Sequence, residues 1–356
     1  MKRIIPFLIA LLLCGCARET MSAEPPVTEA PTVATEAPTE APTEAPTEPQ
    51  PESFTLTFVG DCTLGSTPSQ YGTASSIINT VGDDMGYPFR NVEQWFQNDD
   101  ATFINFEGVL CDKGYAADKM FTFRAPESWI EILTQGSVEA VTLANNHARD
   151  YGQKGYDTTK ALLDGASIPY AERDGSCLFT TESGLTIGIY ACLFTIDFDD
   201  LAEEVAALRE QGAEIVVFAI HWGQEGVYRP LEHQMKQAYQ AIDAGVDIVW
   251  GHHPHVLQKI EMYNGKPIFY SLGNFCFGGN HQPADLDTAI VTQQVLRQPD
   301  GTVELGELAI VPASVSSVPV KNNFQPTPYE EGSEEYERVL SKLDGSFTGY
   351  NLNVGY

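Results

Sequence analysis

The residues able to do chemistry in this chain collect at the ends of apolar runs. "DIVWGHHPHV" (247–256) sets His252, His253 and His255 directly after an apolar stretch. Four further runs close in the same manner: "FTLTFVG" at Asp61, "TFINF" at Glu107, "VEAVTLA" at Asn145, Asn146 and His147, and "EIVVFAI" at His221. Singly, each has an ordinary explanation: a turn aspartate for Asp61, a rim carboxylate for Glu107, a core histidine beside Trp222 for His221, a surface pair for Arg149 and Asp150. Five such endings together predict a shared polar centre. An extended chain sends residues i and i+2 to one side, so His253 and His255 are expected to present both imidazoles to it.

Imidazole nitrogens, carboxylates and an amide oxygen suit Mn²⁺, Fe²⁺ or Zn²⁺ better than Ca²⁺ or copper. Cys62 follows Asp61 and in a strand points away from it, so no thiolate joins the set. Asp61, Glu107, Asn146, His221, His253 and His255 exceed the needs of one tetrahedral ion. They are expected to hold two divalent ions about 3.5–4 Å apart, a pairing that binds a phosphoryl oxygen and activates water. His147, beside Asn146, is then free to stabilise negative charge or to protonate a leaving oxygen.

Bringing these residues together requires elements whose tips converge. Apolar, β-branched and aromatic runs at 54–60, 101–108, 138–146 and 214–223 read as strands, with shorter ones at "SIPYAE" and "LTIGIYACLF". Helices are expected in "YPFRNVEQWFQ", "PESWIEILTQG" and "KGYDTTKALLDG", and from about Pro230 to Ala244. In "DDLAEEVAALREQG", Leu201, Val205 and Leu208 make an apolar helical face and Gly212 a C-cap. "KIEMYNGKPIFYSLGN" predicts a hairpin at Asn264-Gly265, and "DTAIVTQQVL" pairs with "GTVELGELAIVPA". Strand–helix alternation followed by hairpins predicts an α/β layered domain with a mixed sheet. In open α/β sheets the carboxyl ends of the strands line the ligand crevice, where the five endings would meet.

The 356 residues, 43% of them hydrophobic, suffice for one large domain or two small ones. Beyond residue 52 the chain keeps 41 acidic against 17 basic residues, a balance that repels nucleic-acid phosphates, so no nucleic-acid partner is expected. "MKRIIPFLIALLLCGC" opens with Lys2 and Arg3, then an apolar stretch too short to span a bilayer, the pattern of a secretory signal over 1–16. Its Leu-x-Gly-Cys ending resembles the lipobox of bacterial lipoproteins, which implies cleavage before Cys16 and a lipid on its sulfur. Thr-Glu-Ala-Pro repeats predict an extended, disordered stalk over 17–52. The chain is thus expected outside the cytoplasm, lipid-anchored to the cell membrane, with a folded domain over 53–320 and a C-terminal extension, 321–356, packed on it. Within that extension "YEEGSEEYERVLSKLDG" reads as a solvated helix. Cys62, Cys111, Cys177, Cys192 and Cys276 lack Cys-x-x-Cys spacing, and in an oxidising compartment one or two pairs can form.

The blocks "FVGDCTLG", "NFEG", "FTFRAPE", "LANNHARDYG", "HWGQE", "GHHPHVLQ" and "FYSLGNF" stand in the order and spacing of the bacterial CapA proteins, linked to capsule and poly-γ-glutamate synthesis. The chain resembles that family over about 54–280. CapA proteins are similar in fold to the calcineurin-like metallophosphoesterases, so the resemblance implies a layered α/β/β/α sandwich with mixed sheets and a dinuclear metal centre. By motif it implies Asp61, Glu107, Asn146, His221, His253 and His255 as ligands and His147 as the catalytic histidine. Arg124 in "FRAP", able to hold an anion by a bidentate contact, is assigned to the substrate together with His252 and Asn274. Thr63 stands where the wider phosphoesterase pattern has a histidine, Glu107 where it has an aspartate and Ala148 where it has an acid.

The leading expectation is a surface lipoprotein with a phosphoesterase-like hydrolase site, acting on an anionic polymer or phosphoester within a capsule synthesis or export complex. Phosphoester hydrolysis follows from the fold resemblance, and amide or transfer chemistry on polyglutamate from the biological association. The departures from the pattern favour a non-catalytic polymer-binding or anchoring subunit that retains the fold. A solute-binding lipoprotein shares the lipobox and stalk but leaves the strand-tip histidines unexplained.

Overall fold

A computed structural model describes residues 50–353 of the chain. The expected signal, Cys16 and the stalk up to residue 49 lie outside the described residues. In chain order the strands are β1 (Glu52–Thr63), β2 (Ala101–Phe106), β3 (Val109–Leu110), β4 (Arg124–Ala125), β5 (Ala140–Thr142), β6 (Tyr170–Ala171), β7 (Gly175–Thr180), β8 (Thr186–Leu193), β9 (Ile215–His221), β10 (Ile248–His252), β11 (Ile260–Tyr263), β12 (Lys266–Phe269), β13 (Asn274–Phe277), β14 (Asp287–Arg297), β15 (Val303–Ser314) and β16 (Thr327–Pro328). The helices are α1 (Ile77–Val81), α2 (Glu93–Phe96), α3 (Ile130–Gln135), α4 (Gly152–Ala166), α5 (Phe198–Glu210), α6 (Glu232–Asp243) and α7 (Glu334–Leu343).

The larger sheet runs β16-β15-β14-β1-β2-β5-β6, with β13 also paired to β1, and the smaller runs β11-β12-β10-β9-β8-β7. Both are mixed. β1, β2, β5 and β6 are parallel while β14 and β15 return antiparallel, and β8, β9, β10 and β12 are parallel with β7 and β11 antiparallel at the edges. Three apolar cores separate four layers. Phe58, Phe103, Val217, Ile248 and Trp250 fill the space between the two sheets. Ile104 and Val141 face Ile132 and Leu163 of α3 and α4, and on the other side Val216, Phe218 and Val249 face Leu201, Leu208 and Ile242 of α5 and α6. The result is the expected α/β/β/α sandwich, and strands covered on both faces explain the uninterrupted apolar runs.

Period-2 alternation aims the polar residues. On β9, Val217 and Ala219 enter the inter-sheet core and His221 is next on that face; on β10, Ile248 and Trp250 precede His252; on β2, Phe103 precedes Asn105. β1 needs a correction to this count. Phe58 pairs with Phe103 and Asp61 with Asn105, three residues against two, so a bulge at 59–60 returns Asp61 to the inter-sheet face while Cys62 packs toward the helices. Gly60 permits it: a Cβ there would lie 2.1 Å from the Gly273 carbonyl oxygen, which instead accepts the Asp61 N–H at 2.8 Å.

Three expected elements differ. "YPFRNVEQWFQ" yields only the single-turn α2, and the strand of 138–146 stops at Thr142 because the Asn145 N–H bonds back to the Leu143 carbonyl at 2.9 Å and turns the chain. α7 is not simply solvated, since Val339 and Leu343 join the inter-sheet core. All five described cysteines are free, with Cys62 in register beside Cys276. Among the described residues no helix is long and apolar enough to cross a membrane.

Candidate metal centre

Where the strands end, the inter-sheet face turns from apolar to polar. Asp61 is fully buried there: Oδ1 accepts from Asn105 Nδ2 at 2.8 Å and lies 2.9 Å from His252 Nδ1, and Oδ2 lies 3.0 Å from His255 Nδ1. The His253 backbone N–H also donates to Asp61 Oδ2, at 3.3 Å. Glu107 is equally buried. Its Oε2 accepts from the Thr63 hydroxyl at 3.1 Å, so Thr63 holds a carboxylate at the position where the wider phosphoesterase pattern has a histidine, and Oε1 lies 3.7 Å from His221 Nε2. His221 Nε2 is in turn 2.8 Å from Asn146 Oδ1, and the His253 ring stands 4.7 Å from that of His221. The six expected ligands therefore lie around one centre.

The route by which His253 and His255 reach it is not the expected extended chain. β10 ends at His252, and His253 and His255 adopt φ of 95° and 54°, in the left-handed region that side chains other than glycine seldom occupy. Non-glycine residues held there cost about 1–3 kcal/mol each and cluster at functional sites. Both imidazoles reach the centre through this tight loop rather than through pleating.

Electrostatics divide the titratable groups. Burial pushes the Asp61 carboxyl up, but hydrogen bonds and positive charge from His252 and His255 overcome it and hold it well below the ordinary carboxylate range. Burial raises Glu107, with His255 opposing. Burial likewise drives His221 well below its usual value and His253 down to about 4, the latter helped by His255. His255 goes the other way, because Glu107 and Asp61 outweigh its burial and carry it up to about 10.

The site's unmet bonding capacity fits a cation. Glu107 Oε1, His252 Nε2, His253 Nδ1 and Asn274 Oδ1 are buried without a hydrogen-bond partner. Buried polar atoms are rarely left so. Oxygens and imidazole nitrogens are the donors that borderline divalent ions take. Two groups, Asp61–Glu107–His255 and Glu225–His253–His255, place one ligand atom per residue within 4.8 Å of one another.

His147 stands beside this centre with its own support. Nδ1 lies 2.7 Å from Asp150 Oδ2, and the ring packs 4.6 Å from that of Phe123. Asp150 is not half of a surface pair. It is fully buried, accepts the Phe123 N–H at 2.6 Å and pairs with Lys119, so an acid absent at position 148 is supplied three residues after the histidine.

A cavity of about 420 Å³ opens onto the centre and is lined by His147, Glu225, His255, Asn274, Phe277, Asp285, Leu352 and others. Of the residues expected to bind substrate, Asn274 lines it and two do not. His252 is 1% exposed and committed to Asp61. Arg124 bonds Tyr71 and lies over the rings of Tyr71 and Tyr151, away from the lining. Sequence reasoning missed Asn105, Asp150 and Glu225. Asn105 was signalled by the single polar side chain two positions before Glu107 on the same face, and Glu225 by its place in "HWGQE", four residues after His221.

Residues 55–279 match the family described as bacterial capsule synthesis protein PGA_cap. The capsule biosynthesis protein CapA of Bacillus anthracis is 34% identical over 257 residues, covering 64% of this chain and 60% of the relative. The PGA biosynthesis protein CapA of Bacillus subtilis (strain 168) is 30% identical over 326 residues, covering 83% of this chain and 81% of the relative. The chain thus spans about three fifths of the length of the first relative and four fifths of the second. Among solved structures, the NAD nucleotidase NadN of Haemophilus influenzae superposes with a TM-score of 0.40 at 13% identity, covering 83% of this chain and 63% of that one.

Proposed function

The chain belongs to the family of bacterial capsule synthesis proteins described as PGA_cap, and from that premise we propose that it is an extracytoplasmic, metal-dependent hydrolase of phosphoester type. Its substrate is an anionic polymer or a phosphoester met in capsule or poly-γ-glutamate handling. The carrying observation is the set of buried, unpartnered polar atoms on Glu107, His252, His253 and Asn274 around Asp61. Anchoring through a lipid on Cys16 rests on the "LLLCGC" ending alone.

Asp61, Glu107, Asn146, His221, His253 and His255 hold the divalent ions in this reading. When bound, such ions supply Lewis acidity toward an anionic oxygen and an acidified water. The protein supplies the proton traffic. With Nδ1 tied to Asp150, His147 has Nε2 for a proton exchanged with the substrate, and Asp150 fixes the tautomer and the ring plane. The cavity lining supports metal dependence over a metal-free anchoring subunit: it contains Glu225 and Asp285 and no lysine or arginine, and the His255 imidazole, which Glu107 and Asp61 keep protonated, is itself an expected metal ligand.

The full chain is expected to carry bound transition metal that His253→Ala with His255→Ala removes; unchanged metal content in that double variant would refute the site. Against generic phosphodiesters and poly-γ-glutamate, His147→Ala should abolish turnover. Asp150→Asn should lower kcat about 10–100-fold with metal content intact, the usual cost of losing a supporting partner. Turnover that survives His147→Ala removes the proton-transfer role.

A further inference from the structure

Glu225 stands out because nothing in the fold accounts for it. Its carboxylate forms no hydrogen bond or ion pair with any described residue, yet it faces the cavity within ligand distance of His253 and His255. His253 Nδ1 is buried and equally without a partner. The loop that carries Glu225 is pinned on both sides. The Gly226 N–H donates to the Pro254 carbonyl at 2.8 Å, tying the loop to the histidine turn, and the Gly226 carbonyl accepts the Leu352 N–H at 2.9 Å. Gly226 has a φ of 73°, and a Cβ there would lie 2.9 Å from the Leu352 carbonyl oxygen, so glycine is what lets the three segments close together.

We propose that Glu225, His253 and His255 form an outer divalent-cation site, open to the cavity, with Asp61, Glu107, Asn146 and His221 left to the inner ion. The inference rests on the metal-centre reading above and adds a ligand to it. Two imidazoles and one carboxylate make a donor set that suits Mn²⁺ or Zn²⁺ and leaves coordination positions for a substrate oxygen. The outer site faces the cavity through a half-buried carboxylate, whereas Asp61 and Glu107 are fully buried. Glu225 would therefore hold a cation accessible to substrate, whereas Asp61 and Glu107 would hold one shielded from the cavity.

The test is a Mn²⁺ titration of the chelator-stripped full chain, read by calorimetry and by elemental analysis of the retained metal. Wild type should bind two equivalents, Glu225→Gln one, and Glu225→Asp, which keeps a carboxylate, two with the second weakened. Retention of both ions by Glu225→Gln at wild-type affinity overturns the outer site and leaves the metal centre standing. Wild-type protein that binds no Mn²⁺ overturns both, and any other wild-type stoichiometry than two overturns the outer site. The surviving equivalent in Glu225→Gln reports that the variant has folded.

Discussion

Asp61 and Asp287 are both buried carboxylates set among cationic or protonatable side chains, yet their surroundings differ in one respect. Asp287 is complete: Oδ1 accepts from the Tyr329 hydroxyl at 2.9 Å and from Arg338 at 2.7 Å, and Oδ2 accepts from Arg338 and Lys342, each at 2.7 Å. Lys342, 3% exposed, also donates to Asp285 at 2.7 Å, so this clamp holds α7 against β14 with its main charges answered from within. Around Asp61 the neighbours instead keep bonding capacity that no protein atom fills. Burial of charge is common to a fastener and to a reaction centre. What separates them is whether the protein alone satisfies the buried atoms.

The contrast can be broken at either end. The largest effect is expected from Asp287→Ala, which strips Arg338 and the buried Lys342 of their shared acceptor and should cost about 3–5 kcal/mol in chemical denaturation, with or without metal. Next, Mn²⁺ at about 100 times the Kd of the inner Asp61–Glu107 site should stabilise the wild type by about 2.7 kcal/mol through that one ion. Glu107→Gln should abolish that gain and leave metal-free stability undiminished, because it removes a buried charge that burial itself disfavours. If Glu107→Gln weakens the metal-free protein as Asp287→Ala does, the two clusters are not different in kind.

The smallest effect lies outside both clusters. Burial lifts the Glu139 carboxyl to about 7 and that of Asp99 to about 6. With folded values above the unfolded ones, the native state binds more protons, so their contribution is fully present below about pH 4 and is lost as pH rises through 7. Glu139→Gln should flatten the slope of denaturation free energy between pH 5 and 7 by about 1 kcal/mol or less after solvent screening. An unaltered slope would mean that Glu139 titrates normally.

Much of the centre was legible because its residues follow a rule that the chain states openly. His221 and His252 continue an apolar period-2 pattern, and Glu107 stands two residues beyond Asn105 on the same face, so strand tips reveal them. Loop geometry obeys no such period. His253 and His255 were picked out by residue type, but the extended conformation expected for them is not the one they adopt; Glu225 had only the "HWGQE" block and no periodic pattern to mark it, and Asp150 read as surface because its burial depends on Phe123 and Lys119, distant in sequence. Arg124 shows the limit of motif transfer: the block fixes where the backbone runs, while Tyr71 and Tyr151 decide where the guanidinium goes.

The bulge in β1 also decides which element of the periodic table the centre meets. Were β1 to pair with β2 without its extra residue, Gly60 would take the place opposite Asn105, Asp61 would turn into the helical layer, and Cys62 would come next on the inner face. A soft sulfur donor would then stand among the imidazoles in place of a hard oxygen, favouring thiophilic ions. One unpaired backbone unit thus keeps the chemistry on the oxygen side, a choice made by strand pairing before any side chain is selected.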